Sequence, residues 1–105
     1  MNAPVRLHQP MSLEQAVRAS PALAHLSELV RTSKEMLSTV SPLLPAGLRQ
    51  TVQSGPLDSG EWWLLVDNSA AASKLRQLVP TLHQALRQRG YAVTTIHIKI
   101  RQAWR

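Results

Sequence analysis

After Asp67 the chain carries Lys74, Arg76, Arg87, Arg89, Lys99, Arg101 and Arg105, and no carboxylate at all. The acids Glu14, Glu28, Glu35, Asp58, Glu61 and Asp67 all precede them. The formal charge of +6 on 105 residues is therefore an excess of the second half. Guanidinium groups suit phosphate oxygens because their planar fork bonds bidentately. A patch of one sign concentrates polyanions at its surface, and nucleic acid is the natural intracellular polyanion. Arg76, His83 and Arg87 are spaced by seven and four, which aligns them along one flank of a helix. Lys99 and Arg101 share the outward side of a later strand. Each of these groups also has an ordinary reading as solvated surface charge. The absence of interspersed acids favours phosphate contact.

Two tryptophans extend this chemistry. If Glu61–Asp67 is a regular strand, Trp62 shares a face with Leu64 and Val66 and belongs to the core. Trp63 then turns to the other face, near Lys99 and Arg101. An aromatic ring beside basic groups can stack an unpaired base, worth about 1–3 kcal/mol per base. Trp104 is a second candidate for this role. Against it, either ring can serve a protein contact or pack back on its own chain.

Other chemistries find little support. His8, His25, His83 and His97 are scattered singly, and without cysteine no thiol completes a metal site. There is no clustered carboxylate pair, and the serines read as caps, turns or helix residues. Gly47, Gly55, Gly60 and Gly90 are isolated, so no glycine-rich phosphate loop is expected. The expectation is a binding protein without enzymatic activity, metal or cofactor.

These groups must be held by a single domain, with residues 1–11 as an arm, 12–101 folded, and 102–105 as a short tail. A hydrophobic content of 44% is enough for one modest core. No apolar run approaches the ~18 residues needed to span a bilayer. The N-terminus lacks a secretory apolar stretch. A cytoplasmic location is expected.

Ser12-Leu13-Glu14-Gln15 is a capping box that opens a short helix ending near Ser20-Pro21. Leu23, Leu26, Val30, Leu37 and Val40 then recur on one side of a long helix, with Ser33 interrupting the stripe. Ser41-Pro42 stops it. Thr51 and Val52 allow a strand ending at Gly55-Pro56. Asp58-Ser59-Gly60 is turn chemistry leading into Glu61–Asp67, so the two strands form a hairpin. Ser69 is positioned to cap a second helix, whose stripe is Leu75, Leu78, Leu82 and Leu86 and whose end is Gly90. Pro80 lies inside this stripe, where either the helix kinks or two helices meet at Val79-Pro80-Thr81; the stripe keeps its phase across it, which favours the kink. Tyr91–Arg101 alternates, with Ile96, Ile98 and Ile100 against Thr95, His97, Lys99 and Arg101. The result is an α+β fold with helices on one face of a three-stranded sheet.

The run Val66-Asp67-Asn68-Ser69-Ala70-Ala71-Ala72-Ser73-Lys74-Leu75-Arg76-Gln77-Leu78-Val79-Pro80 resembles the DciA family. So do Leu43-Leu44-Pro45, Gly55-Pro56-Leu57, and Gly90-Tyr91 leading to Ile96-His97-Ile98-Lys99. The resemblance covers residues 12 to 101. It implies a K-homology-like domain of order α-β-β-α-β in a bacterial replication factor. Such a factor binds the replicative helicase DnaB and single-stranded or tailed DNA, and promotes helicase loading. Many family members carry tryptophans where this chain reads Ser38-Thr39-Val40-Ser41 and Ala70-Ala71-Ala72, so roles tied to those rings do not transfer. Members also often continue into a basic tail, and loading by a chain ending at Arg105 is expected to be reduced or specialised. The Gly-x-x-Gly clamp of K-homology RNA binders is missing, with Leu78-Val79-Pro80-Thr81 no substitute. Binding should therefore be electrostatic and weakly sequence-selective. The alternatives are a helicase-binding module that barely touches DNA, and an RNA- or ribosome-associated domain.

Overall fold

The computed structural model describes residues 12–101. Helix α1 (Leu13–Ala19) leads into the long helix α2 (Pro21–Val40), a 3-10 turn at Ser41–Leu43 and the short helix α3 (Ala46–Arg49). Strands β1 (Gln53–Asp58) and β2 (Glu61–Val66), helix α4 (Ser69–Gln88) and strand β3 (Thr95–Ile100) follow. The sheet order is β1-β2-β3, with β1 antiparallel and β3 parallel to the central β2. The architecture is α+β and compatible with a small K-homology-like fold.

Local chemistry accounts for most boundaries. In the capping box the Ser12 amide donates to Gln15 Oε1 and the Gln15 amide to Ser12 Oγ, both at 3.1 Å. Ser20 caps α2 by accepting from the Leu23 amide, and Pro21 follows where a missing N–H costs nothing. Proline does not drive Ser41 out of the helical region, since its φ and ψ are −53° and −42°. The chain instead tightens into the 3-10 turn, where Arg49 donates to the Ser41 and Leu44 carbonyls at 3.0 Å. Ser59 and Gly60 both have positive φ, 51° and 85°, as a two-residue hairpin turn of the favoured hand requires. A Cβ on Gly60 would also stand 3.1 Å from Thr94 Oγ1 and 3.2 Å from the Ala92 carbonyl.

The cap of α4 is Asn68 rather than Ser69: its Oδ1 accepts from the Ala71 amide at 2.8 Å. Asparagine is at least as good a cap as serine, and the strand ends one residue earlier than its apolar pattern suggests. Gly90 (φ 91°) closes the helix, with the Tyr91 amide donating to Leu86 O and the Gly90 amide to Arg87 O. Pro80 neither splits nor ends α4, which runs unbroken across it. Pro80 is exposed, so the carbonyl that loses its amide partner is on the wet side.

Trp62, Leu64 and Val66 of β2 are completely buried, facing Met36 and Val40 of α2 and Ala72, Leu75, Leu82 and Leu86 of α4. Only the second half of α2 covers the sheet. Its Leu23, Leu26 and Val30, expected in the core stripe, are 45%, 56% and 55% exposed. Leu26 and Val30 line an open groove with Pro56 and Leu57 at the β1 edge, and the buried positions of the helix are Ser33, Met36 and Val40. Ser33, which breaks the apolar pattern, is the joint of this packing. Trp62 Nε1 donates to Ser33 Oγ at 2.8 Å, and Ser33 Oγ donates to the Gly55 carbonyl at 2.7 Å. One hydroxyl thus satisfies a buried indole and ties α2 to β1.

β1 does not end at Gly55-Pro56 but passes through it to Asp58, with the pairing register shifting between Ser54 and Leu57. A proline is tolerated because β1 is an edge strand and the bulge absorbs the missing amide. β3 begins at Thr95, later than the alternation from Tyr91 suggests.

Candidate nucleic-acid interface

The sheet has a second face, which no described helix covers. The parallel register sets Trp63 beside His97 and Leu65 beside Lys99. The Trp63 and His97 rings stack with centroids 4.3 Å apart and planes inclined by 24°. His97 Nε2 donates to Glu61 Oε1 at 2.7 Å. Arg101 forms an ion pair with Asp67 just beyond the strand ends. Gly55 lies against the same face: a Cβ there would stand 3.0 Å from the Trp63 carbonyl oxygen and 3.2 Å from its Cβ. The β1 bulge can approach Trp63 only because residue 55 has no side chain.

The helical basic groups lie on the other side of the molecule. α4 turns Ala72, Leu75, Leu82 and Leu86 to the sheet, which leaves Lys74, Arg76, Arg87 and Arg89 exposed on its outer surface. No acid occurs anywhere in Ser69–Gln88. Lys74 borders a shallow cleft of about 720 Å³ with Pro45, Gly47, Thr51 and Gln77. His83, on the same flank as Arg76 and Arg87, is tethered by its Nε2 to the Val93 carbonyl at 3.0 Å. It holds the chain entering β3 and is no free ligand. Arg87 and Arg89 end the helix, where cations also interact favourably with its dipole.

The candidate residues therefore form two surfaces rather than one. Lys74, Arg76, Arg87 and Arg89 lie outside the helical layer; Trp63, Lys99 and Arg101 belong to the uncovered sheet face. Trp104 and Arg105 lie outside the described residues. The two surfaces differ in charge. On the sheet face Glu61 accepts from His97 and Asp67 pairs with Arg101, leaving Lys99 without an acidic partner among the described residues. The α4 surface has four cations and no acid of its own. The sequence pattern shows Ser33 only as a gap in a stripe and His97 only as one of the outward residues of β3; their partners Trp62, Gly55 and Trp63 emerge from the fold. The alternation of β3 placed His97 with Lys99, but only the parallel register brings its ring onto Trp63.

Among the described residues no group of three or more His, Asp or Glu could hold a metal ion, and no helix is long and apolar enough to cross a membrane. The chain matches the family described as Dna[CI] antecedent, DciA, over residues 12–98. A search of curated proteins finds no match. The matched region takes in every helix, β1, β2 and the first four residues of β3, and the chain belongs to the DciA family, which supports a role in helicase loading.

Proposed function

We propose that this DciA-family chain is a non-enzymatic replication factor that binds single-stranded or tailed DNA and the replicative helicase DnaB, and so promotes helicase loading. The reading rests on the family match over residues 12–98, which supplies helicase loading as the role. Charge supports DNA as a direct ligand. Phosphate neutralisation and counterion release dominate such binding, so the surface with the largest unanswered positive charge should carry it. That surface is the outside of α4. Arg76 and Arg87 engage phosphates from one flank, Lys74 from the other, and Arg89 from the helix end. The sheet face contributes Lys99 and the Trp63 ring as a secondary contact, with Arg101 held back by Asp67.

The test is fluorescence anisotropy of labelled single-stranded, tailed and duplex DNA across a salt series, with a DnaB pull-down in parallel. Binding that weakens steeply with salt, and a pull-down that retains DnaB, is the expected result. No DNA binding at low salt together with DnaB retention would leave a helicase-binding module without DNA contact. One observation favours that second reading for the sheet face itself: it carries two acids, Glu61 and Asp67, each bonded to a base, so it suits a protein surface better than a phosphate chain.

A further inference from the structure

The two edges of the sheet are built differently. β1 carries Gly55, Pro56 and a register shift, and α2 flanks it: Leu26 and Val30 share a groove of about 350 Å³ with Pro56 and Leu57. Proline, bulges and flanking helices are the usual means of blocking an edge against further strands. β3 has neither proline nor bulge, and the helix α4 that contacts it packs on the covered face of the sheet. Its six residues, Thr95-Ile96-His97-Ile98-Lys99-Ile100, are regular and without proline or glycine, and no described element pairs with its outer side.

The register says which backbone groups of β3 do not face β2. The Thr95 amide donates to the Gly60 carbonyl and the Arg101 amide to the Val66 carbonyl. Odd-numbered residues therefore turn their amides and carbonyls inward to β2 along the parallel ladder. The amides and carbonyls of Ile96, Ile98 and Ile100 point outward, one set every second residue. Their spacing matches one side of an added strand.

Charge decides what kind of strand fits. A second copy paired antiparallel about Ile98 would set Lys99 opposite His97 and Arg101 opposite Thr95, with no acid on either strand. Neither pairing sets an opposite charge across from Lys99 or Arg101, whereas opposite charges across a strand pair are favourable. An extended segment with acids on alternate positions would instead place carboxylates beside Lys99. Its intervening apolar residues would then lie beside Ile98 and Ile100, the latter 39% exposed.

We propose that the outer edge of β3 is a docking site for an extended acidic segment of a partner protein, which adds a fourth strand to the sheet. The recognition runs through the backbone of Ile96, Ile98 and Ile100 and is independent of the DNA contact assigned to α4.

The probe is a fluorescein-labelled seven-residue peptide alternating glutamate with valine, titrated into the full chain and read by anisotropy and by amide chemical shifts. The expected result is micromolar binding with the largest shifts at the Ile96, Ile98 and Ile100 amides. Methylating every second peptide nitrogen, which removes the donors facing β3, should abolish it. Ile100→Pro deletes an outward donor without touching the β2 ladder and should weaken the peptide about tenfold or more. The same variant should keep its thermal midpoint near that of Ile100→Thr and retain single-stranded DNA affinity. Three results would overturn the proposal: no binding of the glutamate peptide, equal binding of its methylated or lysine counterpart, or an unchanged affinity in a folded Ile100→Pro variant. A wild-type dimer that Ile100→Pro dissociates would assign the edge to a second copy instead.

Discussion

Trp62 and Trp63 are adjacent in the chain and occupy opposite environments. The indole of Trp62 is entirely enclosed by α2 and α4, with its N–H given to a buried serine. The indole of Trp63 lies half-buried on the uncovered face, stacked on a histidine that an exposed carboxylate holds in place. The pleat of one strand separates a residue that maintains the fold from one that is free to meet a partner. The same division extends to the basic groups. Those of α4 stand outside the helical layer without acids, whereas those of the sheet face are largely paired. Burial and charge pairing, rather than residue type, assign each side chain its work here.

The sharpest way to break the comparison is to truncate both rings. Trp62→Ala should cost about 3–5 kcal/mol, as deletion of a large buried aromatic does. For a small domain this can be most of its stability. Trp63→Ala should cost well under half as much in the same urea titration. Equal losses would mean that the uncovered face is as much a part of the core as the covered one.

Ser33→Ala tests the closed side more finely. It removes no apolar contact but leaves the Trp62 indole N–H without its acceptor and the Gly55 carbonyl without its donor. An orphaned buried polar group costs about 1–3 kcal/mol. A neutral outcome would show that solvent reaches the indole or that the two groups find other partners, and Trp62 would be less enclosed than the packing indicates.

On the DNA side, the two basic surfaces are compared through salt. Arg76→Ala should flatten the dependence of single-strand affinity on salt by about 0.7 in slope, the contribution of one phosphate contact. Lys99→Ala should change it less. The reverse order would move the DNA to the sheet face and make the Trp63–His97 stack its base platform, with Trp63→Ala then costing about 1–3 kcal/mol of binding.

How far these regions are legible in the sequence depends on the range of the interaction that fixes them. The capping box at Ser12, the hairpin turn at Ser59-Gly60 and the Gly90 helix end are set by neighbours within a few residues, and the pattern announces them. The division between Trp62 and Trp63 follows from strict alternation and is equally plain. The exposure of Leu23, Leu26 and Val30 is not, because a helical stripe cannot tell how far the sheet beneath it extends. Ser33 reads as a defect in that stripe until Trp62 and Gly55 are brought to it from 29 and 22 residues away. The basic residues could be found by type, but their separation into two surfaces comes from β3 joining the sheet beside β2 while α4 packs on its back. Local signals thus recovered the elements, and the site needed the register.

The smallest expected effect isolates what the Glu61 carboxylate does for the uncovered face. The Glu61–His97 pair is partly exposed, with side chains 48% and 37% accessible, so its contribution to stability is limited by solvent screening to about 1 kcal/mol or less. Glu61→Gln should therefore leave the denaturation midpoint almost unchanged. It also removes one of the two acids paired on this face. If the face attracts phosphate weakly because its acids offset its bases, single-strand affinity should rise by less than about fivefold, and only at low salt. An increase that persists at high salt would instead come from a freed His97 ring or a rearranged Trp63. Parallel measurement on Glu61→Gln combined with Trp63→Ala separates the two, because a charge effect survives loss of the ring and a stacking effect does not.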